Sequence, residues 1–343
     1  MSNNRKKTIG FPSRPASKGG PGSFQKRFED KLLDKGWEIV YPDSRNLPDV
    51  ILVNGNTRHI WWLLRAKLRG KNIIYRLGGI SWLYKYKPDI CLIKKIKIYF
   101  KNKLIPVSQS IFGNAIIYQS EFSRKWLVKM GQSARLKDNT VIYNGVDTER
   151  FKPNSSTCNA NKEISLICVE GNIDYTPYAI SLLNYLQVDL AKGNSIREIR
   201  IYGDFENNRN REKLHPDIKY LGNISHNNIH EVFHNVIYLS LDINPACPNA
   251  VLEAMSCGIP IVGFDTGAIK EIVPPKAGII VPYGSDPWRL GYPDVAALVK
   301  AIIEIREHYT IYSANARKTA ENYFNLENMT RKYLDVINRQ IKF

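Results

Sequence analysis

Short apolar runs alternate with longer apolar stripes at helical spacing along the first half of the chain. Residues 37–41, 49–53, 72–77, 115–118 and 140–143 predict β-strands. Residues 24–35, 59–68 and 123–130 predict helices, and Gly36 and Gly70 stand where the first two would end. The order of these segments predicts a sheet whose strands are joined by helices.

The second half repeats this alternation. Strands are predicted at residues 164–169, 199–202, 238–241 and 259–263, and helices at 178–190, 228–235, 250–257 and 295–308. Strands that alternate with helices indicate parallel sheets with helical crossovers, and therefore an α/β class. Residues 151–161 are rich in Pro, Asn and Ser and resemble a linker, so we expect two doubly wound domains.

Charge is distributed unevenly. The formal net charge is +17, and residues 1–150 hold 29 basic against 11 acidic side chains, whereas the remainder holds 20 against 21. A positive field confined to one half attracts phospholipid surfaces, phosphorylated ligands or nucleic acid. A solvated surface that only keeps the protein soluble is the simpler interpretation, but it does not explain why one half carries the excess.

The cysteines and the apolar runs indicate a cytoplasmic protein. The five cysteines form no Cys-x-x-Cys pair and no Cys/His cluster with zinc spacing, which favours reduced thiols and no metal site. No apolar run reaches the roughly 18 residues that span a bilayer. The polar, basic start leads into no apolar segment, so no secretory leader is expected.

Two neighbouring turns in the second half carry the candidate chemistry. Pro248-Asn249 precedes the predicted helix that bears Glu253, at the carboxyl edge of a parallel sheet, where such sheets bind ligands. The Glu253 carboxylate is suited to sugar hydroxyls, and the amides at the helix start are suited to phosphate. Complementing the helix dipole is the alternative role for Glu253. The second turn, residues 266–268, brings amides close to a phosphate or is an ordinary Thr-capped turn.

These segments, in this order, resemble retaining glycosyltransferases of family 4. The resemblance covers residues 238–285, 141–153 and 116–122, and Lys18-Gly19-Gly20 before an amphipathic helix. It implies the GT-B fold, with two Rossmann-like doubly wound domains facing across a cleft and a C-terminal helix returning toward the first. The expected domains are 1–150 on the acceptor side, 151–325 for the nucleotide sugar and 326–343 for the returning helix.

The resemblance also implies roles for single residues. Glu253 corresponds to the second acid of the family's Glu-x7-Glu signature, which holds the nucleotide ribose. Arg76, which projects toward the cleft, and Glu253 are the implied catalytic residues. A surface salt bridge is the alternative for Arg76, and His59 is favoured as structural over assisting the acceptor. The donor-binding residues implied are Gly19, Gly20, Asn249, Glu253, Thr266, Gly267 and Ala268.

The implied reaction retains anomeric configuration and needs no metal or cofactor, the nucleotide-diphosphate sugar being a substrate. The acceptor is a glycan or a lipid-linked molecule. The chain departs from the family at Pro245, where the first acid is expected, and at residues 170–177, which lack the usual Arg and Lys. Either Arg76 or Lys18 compensates, or the protein is an atypical or inactive GT-B-like binder of nucleotide sugars or glycans.

A basic, aromatic segment at residues 82–103 suggests where the protein acts. It interleaves seven lysines with Trp82, Tyr84, Tyr86, Tyr99 and Phe100, against one acid, Asp89. Such a surface suits an anionic membrane interface, which we favour over a solvated face and over nucleic acid. We therefore expect a cytoplasmic protein that is peripheral at the inner membrane face.

Overall fold

The computed structural model describes residues 6–16, 19–79, 81–86, 90–130, 138–154, 163–193, 196–205, 207–226 and 228–341. The chain divides into two compact units. The first comprises residues 1–144 together with 327–343, and the second comprises residues 145–326. Each unit is built on its own parallel sheet, so the α/β class is confirmed.

The sheet of the first unit has the strand order β2-β1-β3-β4-β5-β6 over the described residues. Every adjacent pair is parallel, and the order reverses between β1 and β3. The elements are β1 (Thr8–Gly10), α1 (Gly20–Asp34), β2 (Glu38–Val40), β3 (Val50–Asn54), α2 (Ile60–Leu68), β4 (Asn72–Leu77), α3 (Leu92–Phe112), β5 (Ala115–Tyr118), α4 (Glu121–Lys129) and β6 (Asp138–Val141).

The sheet of the second unit has the order β12-β11-β10-β7-β8-β9, again with every adjacent pair parallel in the described chain. The elements are β7 (Ser165–Asn172), α5 (Ala179–Lys192), β8 (Ile199–Asp204), α6 (Asn208–Arg211), β9 (Lys219–Tyr220), β10 (Val236–Ser240), α7 (Asn249–Ser256), β11 (Ile261–Phe264), α8 (Ile269–Ile272), β12 (Gly278–Val281), α9 (Val295–Glu307) and α10 (Tyr309–Tyr323). The order reverses between β7 and β10, where doubly wound sheets leave a crevice at the carboxyl ends of their strands.

The last helix, α11 (Leu326–Gln340), packs on the first unit. Tyr333 is fully buried there, and its ring lies 5.2 Å from that of Phe24 and 5.0 Å from that of Phe28, both on α1. Near the end of α11, the backbone carbonyl of Gln340 accepts from Asn72 Nδ2 at 2.6 Å. The expected return of the C-terminal helix to the first domain is therefore seen.

The pattern-based elements agree with the structure in most places, and two differences have physical causes. The predicted helix at residues 228–235 is only a 3₁₀ turn, Ile229–Val232, because the backbone leaves the helical region at Phe233 (ψ 70°) and turns left-handed at Asn235 (φ 50°) before β10. Helix α3 continues through Pro106 to Phe112. Proline lacks the backbone N–H that a helix interior uses, so the sequence pattern indicates no helix of this length.

In the part of the chain that the structure describes, no helix is both long and apolar enough to cross a membrane.

Candidate functional site

Two acidic side chains mark the point where the strand order of the second unit reverses. Glu170 lies near the end of β7, and Asp242 follows β10 by two residues. Glu170 Oε1 accepts a hydrogen bond from the Leu241 backbone N–H at 3.3 Å, which ties the two strand ends together. Both acids are half-buried in this crevice. Asp242 lies three residues before Pro245, and the sequence analysis noted Glu170 only as part of the segment 170–177, which lacks bases.

The proximity of these two acids changes their titration. Burial raises the pKa of Glu170 well above its usual value, and the neighbouring Asp242 raises it further. Burial raises the pKa of Asp242 from 3.8 to about 6. The same surroundings raise the pKa of the buried Cys168 thiol, chiefly through desolvation. The crevice therefore retains a proton at a pH where an exposed aspartate or glutamate has lost it.

Replacement of Asp242 by asparagine is expected to stabilise the second unit at pH 7.5 by about 3 kcal/mol and to have almost no effect at pH 4. Between pH 4 and 6 the unfolded chain has lost the Asp242 proton while the folded chain keeps it. The stability of the wild type relative to Asp242→Asn therefore falls as pH rises through this window. Urea unfolding of the wild type and Asp242→Asn at several pH values measures this difference. An equal effect of the substitution at both ends of the range would contradict it.

Glu253 is held by a histidine that the sequence did not single out. Glu253 is the fifth residue of α7 and only 2% exposed, and its Oε1 lies 3.0 Å from His226 Nε2. The His226 ring packs edge-on against Phe151, and its carbonyl accepts from Arg150 Nη2 at 2.6 Å. Because helix-dipole effects are confined to the first turn, Glu253 is not placed to complement that dipole. No sequence motif around His226 indicates this contact.

Helix α7 begins without a side-chain cap. Pro248 is its N-cap residue, and the half-buried Asn249 opens the helix. The first amides of a helix have no partner within it, so an uncapped start can accept an anion. The sequence prediction for Asn249 as a donor-binding residue stays a prediction.

The turn at residues 266–268 is bonded to the segment that contains Pro245. Ala268 N–H donates to the Pro245 carbonyl at 2.9 Å, and Thr266 N–H donates to the Phe264 carbonyl at 2.8 Å. Thr266 Oγ1 accepts from the Asn244 N–H at 3.3 Å. Gly267 has a φ of 59°, and a Cβ there would collide with the Pro245 backbone. The Thr266 and Ala268 amides therefore already donate within the unit. The sequence prediction of Thr266, Gly267 and Ala268 as donor-binding residues stays a prediction.

Asn244 is an additional polar residue at this turn. It adopts a left-handed conformation (φ 53°) and is buried. Among the described residues, its buried Nδ2 has no hydrogen-bond partner. An amide donor is therefore available one residue before Pro245. The resembled family has an acid at the position of Pro245.

In the first unit, the glycines of the predicted phosphate loop stand at the start of α1. Gly19 is the N-cap residue with a φ of 91°, a conformation that favours glycine, and Gly20 is the first helical residue. The Gly19 carbonyl accepts from the Ser23 N–H, as at an ordinary helix start. Lys18, the alternative source of phosphate-neutralising charge, lies outside the described residues.

Arg76 is buried inside the first unit, so the surface salt-bridge interpretation is wrong. It is 1% exposed, and its guanidinium carbon lies 3.6 Å from the centre of the Phe24 ring. Its Nε donates to Tyr333 Oη at 3.1 Å, its Nη1 to Asn54 Oδ1 at 2.8 Å, and its Nη2 to Asn144 Oδ1 at 2.6 Å. Arg76 thus joins β4 to β3, to α11 and to Asn144, the last residue of the segment 1–144.

The Arg76 contacts extend to the glycine loop. Asn54, which accepts from Arg76, donates through Nδ2 to the Pro21 carbonyl at 2.9 Å. Arg76 therefore positions the first turn of α1, and its predicted catalytic role stays a prediction. His59 is exposed and precedes α2, outside the core of the first unit.

Part of the chain is similar in sequence to known glycosyltransferases. Residues 180–308 match the family model described as "Glycosyl transferases group 1". The chain is 26% identical over 208 residues to a phosphatidylinositol N-acetylglucosaminyltransferase component from Arabidopsis thaliana, covering 59% of this chain and 43% of that protein. It is 26% identical over 142 residues to the gpi3 subunit of the transferase of the same name from Schizosaccharomyces pombe, covering 39% and 30%. The matches thus span less than half the length of these relatives.

Solved structures resemble the whole chain. Sucrose-phosphate synthase from Thermosynechococcus elongatus superposes with a TM-score of 0.71 at 14% identity, covering 97% of this chain and 99% of that one. HepE from Anabaena in complex with UDP and glucose superposes with a TM-score of 0.68 at 14% identity, covering 97% and 100%. The fold predicted from the sequence is confirmed: the chain has the GT-B fold, and its residues 180–308 match the group 1 glycosyltransferase model.

Proposed function

We propose that the protein is a glycosyltransferase that moves a sugar from a nucleotide-diphosphate donor to a glycan or lipid-linked acceptor with retention of anomeric configuration. The observation that carries the proposal is the buried Glu253, fixed by His226 within the region that matches the group 1 family. A carboxylate held in one orientation is suited to accept hydrogen bonds from two neighbouring hydroxyls of a ribose. Such charge-assisted bonds are about twice as strong as neutral ones.

The rest of the second unit supplies what the diphosphate and the sugar need. In this proposal the start of α7, where no side chain caps the helix, binds phosphate oxygens, with Asn249 as the donor-binding residue predicted there. We assign to Asn244 Nδ2 the recognition of a sugar hydroxyl, in the place of the acid that Pro245 replaces. When the bond between sugar and phosphate breaks, negative charge grows on the diphosphate, and fixed amide dipoles stabilise it.

The proposed reaction uses no metal and no cofactor, with the nucleotide sugar as a substrate. Positive charge for the leaving diphosphate comes, in this proposal, from residues 1–150, whose 29 basic and 11 acidic side chains give a net charge that exceeds the +17 of the whole chain. A UDP-linked sugar is the first donor to test, because HepE is known with UDP and the two curated relatives are N-acetylglucosaminyltransferase subunits.

A second candidate function is an inactive GT-B-like protein that binds nucleotide sugars or glycans. The observation that favours it is the bonding between the Pro245 segment and the turn at residues 266–268, which fixes a non-acidic residue where the family carries an acid. Such a protein would bind the donor and leave the bond between sugar and phosphate intact.

We also propose a cytoplasmic location, with peripheral association at an anionic inner membrane face through the basic first domain. The excess of 29 basic over 11 acidic side chains in residues 1–150 supports this location. Nucleic acid is not the partner that we propose.

Thermal unfolding with UDP, UDP-glucose and UDP-N-acetylglucosamine tests the proposed function. A ligand present at 100 times its Kd stabilises the folded state by about 2.7 kcal/mol, which raises the apparent Tm by several degrees. The amount of UDP that the protein releases from the UDP-sugar, measured with and without EDTA, then distinguishes an enzyme from a binding protein. Binding without release supports the second candidate. If no nucleoside diphosphate or nucleotide sugar shifts the Tm, the transferase function is wrong, and only the glycan-binding form of the second candidate is left.

A further inference from the structure

Helix α3 of the first unit has its apolar face toward solvent. Side chains that are buried in the unit come from the last two turns of α3, namely Ile105, Ser108, Gln109 and Phe112. At 3.6 residues per turn, these four share one side of the helix. The opposite side carries eight exposed apolar side chains: Leu92, Ile93, Ile96, Tyr99, Phe100, Leu104, Val107 and Ile111.

This exposure is large for a solvent-facing helix. Leu92 is 72% exposed, Phe100 60% and Ile111 58%, and the stripe that they share runs along nearly the whole of the 21-residue helix, or about 30 Å. Surface helices ordinarily show the reverse arrangement, with polar side chains outward. Contiguous exposed apolar surface of this kind marks a site of contact with a partner or a membrane.

The charges around the stripe indicate the partner. Lys94, Lys95, Lys97, Lys101 and Lys103 all lie on α3, and residues 92–112 contain no acidic side chain. Four of the five are exposed, and only Lys95 is half-buried. At 3.6 residues per turn, Lys95 and Lys97 border the apolar stripe, Lys103 lies within it, and Lys94 and Lys101 lie toward the packed side. Lys103 stands over the Tyr99 ring at 5.9 Å. Lysines that flank an outward apolar face are typical of helices that lie in the interface of an anionic bilayer.

We propose that α3 docks the first unit on an anionic lipid surface, with its axis in the plane of the bilayer and its apolar stripe among the acyl chains. The inference deepens the proposed function, since it rests on that function for its biological meaning and identifies the element that brings the enzyme to a lipid-linked acceptor. Lys95, Lys97 and Lys103 contact lipid phosphates while Ile96, Phe100 and Leu104 enter the interface.

Two other partners fit α3 less well. A two-fold dimer of this chain would place the same lysine-rich helix on both sides of the contact, and like charges would repel. Nucleic acid binds through lysines that face it and through aromatic rings that stack on bases. The centre of the α3 face is mostly aliphatic, and aliphatic side chains do not stack.

Vesicle co-sedimentation of the full chain tests this surface. Equimolar phosphatidylcholine and phosphatidylglycerol vesicles are expected to bind the wild type, and phosphatidylcholine alone is expected to bind it much more weakly. Salt screens charges over shorter distances as its concentration rises. Raising salt from about 50 mM to about 500 mM should therefore release most of the protein.

Substitutions on α3 separate its two contributions. Lys95→Gln, Lys97→Gln and Lys103→Gln together should lower the partition coefficient to anionic vesicles about fivefold for each lysine removed. Ile96→Ser, Phe100→Ser and Leu104→Ser together should lower it at least tenfold and should weaken binding at high salt as well. The matched controls in the second unit are Lys219→Gln with Lys300→Gln and Lys318→Gln, and Val188→Ser with Ile311→Ser and Tyr323→Ser, all at exposed positions.

Three results would overturn the proposal: equal binding of the wild type to both vesicle types, α3 variants that bind like the controls, or a wild-type dimer that the apolar α3 variants dissociate. The Tm shift with UDP is measured on the same proteins. A chain that binds vesicles through α3 and shows no shift with any nucleotide keeps the docking surface and loses the proposed function. A chain that shows the Tm shift with UDP but does not bind anionic vesicles keeps the proposed function and loses the docking surface.

Discussion

Glu253→Ala is expected to lower the kcat/KM for sugar transfer by about 10²- to 10⁴-fold and to remove the Tm shift caused by UDP. Two hydrogen bonds to a charged carboxylate contribute about 1.5–3 kcal/mol each, and the alanine variant loses both. Glu253→Gln keeps the shape of the side chain and an accepting oxygen, so its loss should be nearer tenfold. Initial rates with varied UDP-sugar, together with UDP titrations, measure both effects.

The control for Glu253 is another glutamate of the second unit. Glu307 is exposed at the end of α9, and Glu307→Ala should leave both binding and turnover unchanged. Circular dichroism and the Tm without ligand show whether each variant is folded. A folded Glu253→Ala protein that keeps the full Tm shift with UDP would show that Glu253 does not contact the nucleotide.

His226 extends this prediction because it acts on the nucleotide only through Glu253. Its ring is 40% exposed, and its Nε2 fixes one oxygen of the carboxylate. His226→Ala should weaken UDP binding by about fivefold to thirtyfold, the effect of one lost hydrogen bond to a charged group. In a Glu253→Ala background the same substitution should have almost no further effect on binding, which a purely structural histidine would not show.

Arg76→Ala is expected to destabilise the first unit by about 3–5 kcal/mol, the usual loss when one partner of a buried charged network is removed. Tyr333 Oη, Asn54 Oδ1 and Asn144 Oδ1 would each lose the donor seen here, and Phe24 would lose the guanidinium that covers its ring. Urea unfolding gives the change in free energy. Arg58→Ala, at an exposed position of the same unit, should cost less than about 0.5 kcal/mol.

Arg76→Lys separates anchoring from catalysis. Lysine keeps the charge but cannot donate to three acceptors in the planar geometry of a guanidinium. If Arg76 anchors α11 and the first turn of α1, stability falls in Arg76→Lys, and kcat at a temperature where the protein stays folded falls only modestly. A variant of wild-type stability whose kcat falls by two or more orders of magnitude would instead identify Arg76 as a catalytic residue.

The predicted strands and helices agree with the structure where the signal is local. The strands β4 and β5 have the predicted bounds, because an apolar run between turn residues is a local signal. The helix of Glu253 is displaced by a single residue from its prediction. Helix α3 was not predicted, since Pro106 lies inside it and the order of its lysines and apolar residues gives no sign of which face is outward.

The sequence by itself determined the α/β class, the doubly wound strand order in outline, the family resemblance and the place of Glu253, because all of these depend on the local spacing of apolar residues and turns. Only the tertiary structure decided which distant side chains meet. The separations of 27 residues between His226 and Glu253 and of 257 between Arg76 and Tyr333 are closed by the packing of separate elements, so no local pattern contains those contacts. The same packing left the apolar face of α3 without cover, since whether a face is buried depends on its neighbours.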